Sequence, residues 1–312
     1  MENFLGKDGF VWWKGVIENR DDPLHLGRCQ VRIFGWHTDN IQQLPSNGLP
    51  WAIPAHSPNS TMTSDTPLVG DFAFGFFMDG ESAQMPVLLG IFPGIPTQGA
   101  SKDKGFSEGS HYPIGEPTTS RLYRSENIAN TAIGYHDNNI VQNVATSNGG
   151  TWSEPKSTYK TIPPHNKVTQ TECGHIIELD DTKGAERIHI NHGPSNTFIE
   201  IASDGTTVSK ISGTSYKILL KDNNVLIKGT CNVTIEGDSN LQINGNSNIN
   251  VKGNVKQTIG GSYTGSASSW NLTGDVNIKG KVTSTGDVVG GGISLDGHTH
   301  PDPQGGSTGT PQ

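Results

Sequence analysis

Two histidines, His298 and His300, stand two residues apart in the run Gly297-His-Thr-His-Pro301. On an extended backbone, side chains two apart point to the same side, so both imidazoles can face one ion. One chain supplies only two ring nitrogens, too few for a firm metal site. Three chains around a threefold axis would supply six, in two triangular layers, which is an octahedral set. Structural zinc prefers four ligands in a tetrahedron. Imidazole also suits iron. With no coordination position left open, such an ion would fasten strand ends rather than catalyse. A bare His-x-His is a weak pattern; Pro301 and the glycine-rich run Gly305–Pro311 behind it add weight. His175, His189 and His192 form another candidate cluster, in which His175 and His189 are read as ordinary strand residues.

Something must bring three chains to one point, and residues 223–261 have the pattern for it. Glycine recurs every eight residues, at Gly229, Gly237, Gly245, Gly253 and Gly261. Ile227, Ile235, Ile243, Val251 and Ile259 stand two before each, and Val225, Val233, Leu241 and Ile249 two earlier still. Only Gln257 breaks the second set. Each octad therefore reads as a short strand with two apolar side chains on one face, then a turn at glycine. A fixed period marks a stacked architecture. A unit with two inward apolar residues is too thin for a core of its own. Three chains wound together would share one along a common axis, as a three-sided prism. A single-chain β-solenoid usually needs longer coils, and low-complexity disorder does not keep register over five octads. The register slips around Ser262–Trp270, and strand-like pieces return at Asp275–Ile278 and Lys281–Val289.

Composition points the same way. Only 32% of the 312 residues are hydrophobic, and 40 are glycine, so a lone chain has little with which to build a large core. The net charge of −8 and the scattered basic residues argue against nucleic acid as a partner. Nothing marks a small-molecule substrate. Cys29, Cys173 and Cys231 are too few and too far apart for a disulfide framework. The first residues lack the charged start and apolar core of a signal peptide, and no apolar run is long enough to span a bilayer. Synthesis in a cytoplasm without export by the usual route is expected.

The fold class expected is all-β. Residues 1–98 hold strand candidates Val11–Asn19, Gly27–Phe34, Leu49–Ile53, Asp71–Met78 and Met85–Ile91. Five short strands bounded by turn residues suit an OB-fold barrel. Trp12, Trp13, Trp36 and Trp51 are read as core and interface residues rather than a base-stacking platform. Residues 99–165 are polar, lack periodicity and are expected to form an extended linker. Residues 166–222 regain strand character at Lys167–Glu172, His175–Leu179, Arg187–Asn191 and Thr197–Ile201. Then follow the repeat region, 223–290, and an apex, 291–312.

At these residues the chain resembles the T4-like central spike family, with its relatives the phage baseplate V proteins and the type VI secretion spike proteins. The resemblance rests on Glu18-Asn-Arg-Asp-Asp-Pro-Leu-His-Leu-Gly-Arg-Cys-Gln-Val-Arg-Ile-Phe-Gly-Trp-His37, on Leu49-Pro-Trp51, on Gly174 through Arg187 and on the octads. These segments cover most of the chain in family order. The resemblance implies an intertwined triple-stranded β-helix in a homotrimer, with one iron ion at the apex held by His298 and His300. It also implies a baseplate hub protein as partner, transient contact with the host outer membrane, and a place in the virion. The T4 spike carries a lysozyme domain between barrel and β-helix; here only the linker stands there. Glu108, Glu116, Glu126 and Asp137 are read as solvated linker charges, so no enzyme is expected. The competing readings are a trimeric tail fibre or adhesin and a cell-wall-degrading spike.

Overall fold

Five short strands between Val11 and Ile91, each contributing buried residues, make a barrel. A computed structural model describes residues 10–58, 66–92, 120–125 and 131–310. Strands β1 (Val11–Asn19), β2 (Cys29–Ile33), β3 (Trp51–Pro54), β4 (Phe72–Phe77) and β5 (Pro86–Ile91) close into a barrel in the order β1-β2-β3-β5-β4. All five expected strands are present. Trp13, Ile17, Val31, Ile33, Ala52, Phe77 and Leu88 fill the interior. In β4 the outward residues are Phe72, Phe74 and Phe76, and the inward ones Ala73, Gly75 and Phe77. Gly75 is required by space: a Cβ there would lie 1.8 Å from the Val87 carbonyl oxygen and 2.5 Å from the Trp13 ring.

The extended linker expected over 99–165 does not hold where the chain is described. Residues 120–165 carry α1 (Arg121–Arg124), α2 (Ala132–Asn138) and a hairpin of β6 (Val144–Ala145) and β7 (Thr151–Trp152). Leu122, Ala132 and Ile133 pack on Ile176, with Tyr159 and Val168 beside them. These elements are too short to show periodicity, so only packing defines them. Asp137 is not a free linker charge; it sits in α2 and accepts the backbone N–H of Ser157 at 2.9 Å. Glu108, Glu116 and Glu126 lie outside the described residues.

Beneath this segment lies a five-stranded antiparallel sheet. It comprises β8 (Asn166–Gln170), β9 (Ile176–Asp180), β10 (Arg187–His192), β11 (Thr197–Ile201) and β12 (Thr207–Lys210) in consecutive order. The first four match the expected strands within a few residues; β12 was not anticipated.

From residue 211 to 288 the chain is extended, without a ladder partner of its own among the described residues. Its backbone bends at 212–213, 220–221, 228–229, 236–237, 244–245, 252–253 and 260–261, keeping the eight-residue period two bends further upstream than the glycine run that begins at Gly229. Past Ser268 the bends fall at Gly274, Gly280 and Gly286, a spacing of six. The slip in register is thus a change of period, marked by glycines in the sequence. By internal packing the chain divides into Met1–Ser239 and Asn240–Gln312, so the repeat region crosses the division instead of starting a unit at 223.

Candidate functional site

The two apex histidines are placed by tight turns. Strands β13 (Val289–Gly290) and β14 (Ile293–Ser294) form a hairpin whose turn is Gly291-Gly292, both at positive φ (61° and 84°). Two left-handed residues are what a two-residue hairpin turn demands. Past β14 the chain reverses, and the Ser294 carbonyl accepts the backbone N–H of His298 at 3.2 Å. A second turn then brings Thr308 back to His300. The His300 N–H donates to Thr308 Oγ1 and the Thr308 N–H to the His300 carbonyl, both at 2.9 Å.

The rings of His298 and His300 end with centroids 5.1 Å apart and planes at 84°. His298 Nδ1 lies 2.8 Å from the Ser294 carbonyl oxygen. A carbonyl can only accept, so Nδ1 carries the hydrogen and Nε2 keeps its lone pair outward. A metal ligand needs that tautomer, so the residues fit a metal ion. His298 is half-buried and His300 exposed. Within one chain, no group of three or more metal-ligating side chains is present among the described residues. The sequence placed both histidines; it gave no sign of Ser294 or Thr308 as the groups that orient them.

The sheet has its polarity reversed. The face covered by residues 120–165 carries charge. Arg187, fully buried, pairs with Glu178 and, at 2.9 Å, with Glu200, and its guanidinium lies 4.8 Å over the Tyr159 ring. His189 is buried 3.1 Å from Glu200. Across the seam, His136 of α2 reaches Glu154 at 3.0 Å, and Lys210 of β12 reaches the same carboxylate at 3.0 Å. Burial pushes the Glu200 carboxyl up, but the hydrogen bond from His189 and the charge of Arg187 outweigh it, leaving it down at about 2. Burial pushes Glu178 up and His189 down.

The opposite face is aliphatic and open. Leu179, Ile188 and Ile201 form one row across β9, β10 and β11, and Ile177, Ile190 and Ile199 the next. All six are exposed. Lys167 and Thr169 on β8 and Thr207 and Ser209 on β12 flank them with polar groups. His175 and His192 meet at the end of this face, whereas His189 lies buried on the other, so the three do not form one cluster. The octads continue the theme. Ile227, Ile235, Ile243, Val251 and Ile259 are about half exposed, and Val225, Val233, Leu241 and Ile249 are 69–85% exposed.

The barrel's first loop is an electrostatic turn. Asp22 accepts the backbone N–H groups of Leu24, Leu26 and Arg28 and pairs with the Arg28 guanidinium at 2.6 Å. Arg28 holds that carboxyl well below the usual range. The Arg28 guanidinium in turn lies 5.2 Å over the Trp51 ring. Arg32 and Glu18 pair across β2 and β1, and Arg32 also donates to the carbonyls of Thr38 and Leu44. The Glu18–His37 motif thus holds two charged clusters, Asp22 with Arg28 and Glu18 with Arg32. Trp13 is core, as expected, while Trp12 stands outside with Phe10 and Phe76.

No family model matches the chain. Two relatives do. Protein Gp5 of Vibrio phage KVP40 is 35% identical over 268 residues, covering 72% of this chain and 63% of that protein. The pre-baseplate central spike protein Gp5 of Enterobacteria phage T4 is 33% identical over 204 residues, covering 58% of this chain and 34% of that protein. The chain therefore spans less than two thirds of the length of either. The barrel, the octads and identity sustained over most of this chain agree, and the chain is similar to the Gp5 proteins of these two phages, of which the T4 protein is a pre-baseplate central spike.

Proposed function

We propose that the chain is the central spike of a contractile phage tail baseplate, acting as a homotrimer that pierces the host outer membrane mechanically when the sheath contracts. The repeat carries this reading: apolar side chains two apart, renewed every eight residues, all exposed in a single chain. Exposed aliphatic rows over this length are tolerable only if something apolar covers them. A second and third copy, wound about one axis as a triple-stranded β-helix, covers all of them with the same residues. The open aliphatic face of the sheet supports the same closure, since it precedes the octads in chain order.

The barrel, with OB-fold strand order, is the docking module for a hub protein under the tail tube. The ring cluster of exposed Phe10 and Trp12 with half-buried Phe76 gives it an aromatic contact surface. At the apex, His298 and His300 of three copies would hold one iron ion in an octahedral set of six nitrogens, with zinc the second choice. The ion's role is structural, fastening three chain ends where little apolar core remains. The role of the chain is mechanical, not enzymatic.

Light scattering with elemental analysis on the full chain tests the reading. The expected result is a trimer with about one iron per three chains. His298→Ala with His300→Ala should remove the iron and leave the trimer. A monomer in solution sinks the proposal, and iron retained by the double variant sinks the apex assignment.

A further inference from the structure

The open aliphatic face of the sheet ends in imidazoles. His192 closes β10, and His175 immediately precedes β9. The β9–β10 register puts them opposite each other, one step beyond Ile177 and Ile190. Their ring centroids are 4.7 Å apart. They rim a groove of about 420 Å³ whose wall includes Ile177, Ile190 and Ile199.

The tautomers are set locally. His192 Nδ1 lies 2.8 Å from Ser195 Oγ, and that hydroxyl donates to Thr197 Oγ1 at 3.0 Å. A hydroxyl has one proton. With it directed at Thr197, Ser195 accepts from His192, so Nδ1 carries the hydrogen and Nε2 is left with its lone pair. Ser294 imposes the same state on His298. The Gly193 N–H donates to His175 Nδ1 at 3.4 Å, which leaves His175 a hydrogen on Nε2. Each chain thus offers one ligand nitrogen and, beside it, one N–H donor.

We propose that His192 from three copies forms a second transition-metal site, in which three Nε2 atoms take an ion on the threefold axis and the His175 N–H groups hold the water or anion that completes its coordination. This rests on the trimeric reading of the sheet face. Once that face is covered, three ring nitrogens would be buried beside isoleucines, and a buried acceptor without a partner is costly. An ion satisfies all three at once. Three histidines and one open position is a set that zinc accepts, unlike the six-nitrogen apex.

The test uses the full chain with His298→Ala and His300→Ala, stripped with a chelator, loaded with Zn2+ and desalted. Light scattering and elemental analysis should give a trimer holding about one zinc per three chains. Adding His192→Ala should bring zinc to background. Ser195→Ala, which frees the ring to turn, should weaken binding about tenfold or more. Cu2+ loaded into the same trimer should show nitrogen hyperfine coupling in its paramagnetic resonance spectrum, a readout that needs no change at His192. A trimer that takes up no zinc, zinc that survives His192→Ala, or copper without nitrogen coupling overturns this site and leaves the spike reading standing. A monomeric wild-type chain overturns the spike reading and this site with it.

Discussion

The barrel and the shaft solve the same problem in opposite ways. The barrel closes on itself: five strands put Trp13, Ile17, Val31, Ile33 and Phe77 inside, and no second chain is needed to dry them. The shaft, 211–288, buries nothing alone. Its aliphatic side chains are as regular as a barrel's, but two per octad leave no room for an interior within one chain. Regular hydrophobic spacing therefore does not by itself place a core inside one molecule. The sheet, which precedes the shaft in sequence, has features of both: it buries a charged face under its own chain and leaves its aliphatic face open.

The sharpest way to break this comparison is Ile190→Asp at the centre of the open face. In a trimer the carboxylate is buried three times over, at about 3 kcal/mol per copy. Light scattering should report monomers, while the barrel keeps its melting transition. A variant that stays trimeric would show that the face is not shared.

Next in size is Arg187→Leu. It strands Glu178 and Glu200 in the covered face, and losing one partner of a buried ion pair costs about 3–5 kcal/mol. Calorimetry should show the sheet's transition falling steeply and the barrel's unmoved. Gly75→Ala does the reverse. The added Cβ collides with the Val87 carbonyl and the Trp13 ring, at about 2 kcal/mol. Only the barrel should melt earlier, and the trimer should persist.

Acid gives the smallest and most graded effect. Glu200 is held down at about 2 in the folded chain, so its stabilisation is present above the ordinary carboxylate range and lost as pH falls toward about 2. His189 is held neutral by burial, so the unfolded chain takes up its proton first, and stability falls below the ordinary imidazole range as well. Glu178, pushed up by burial, offsets part of the loss. The sheet should therefore lose stability from about pH 6 downward. A sheet transition that does not move between about pH 7 and pH 5 would contradict this. Glu200→Gln should flatten the dependence at the low end.

Much of this was legible in the residues. The five barrel strands, four of the five sheet strands, the octads and the paired apex histidines follow from alternation, period and turn chemistry, which are local. The six-residue period is written in the spacing of Gly274, Gly280 and Gly286. The helices of 120–165 were not, because one or two turns of polar chain carry no periodicity. Nor was the fate of Asp137, whose partner Ser157 is distant in sequence.

The sequence by itself determined which side chains share a face. Strand geometry turns every second residue the same way, so Glu178 and Asp180 had to oppose Ile177 and Leu179 whatever the tertiary fold. Only the tertiary structure decided which face its own chain would cover, and it covered the charged one. The reason is that alternation is symmetric: it separates two faces and cannot say what lies above either. Tyr159, which lies under the Arg187 guanidinium, and Ser157, which donates to Glu200, make burial of the ion pairs tolerable, and they arrive only when the chain folds back over the sheet.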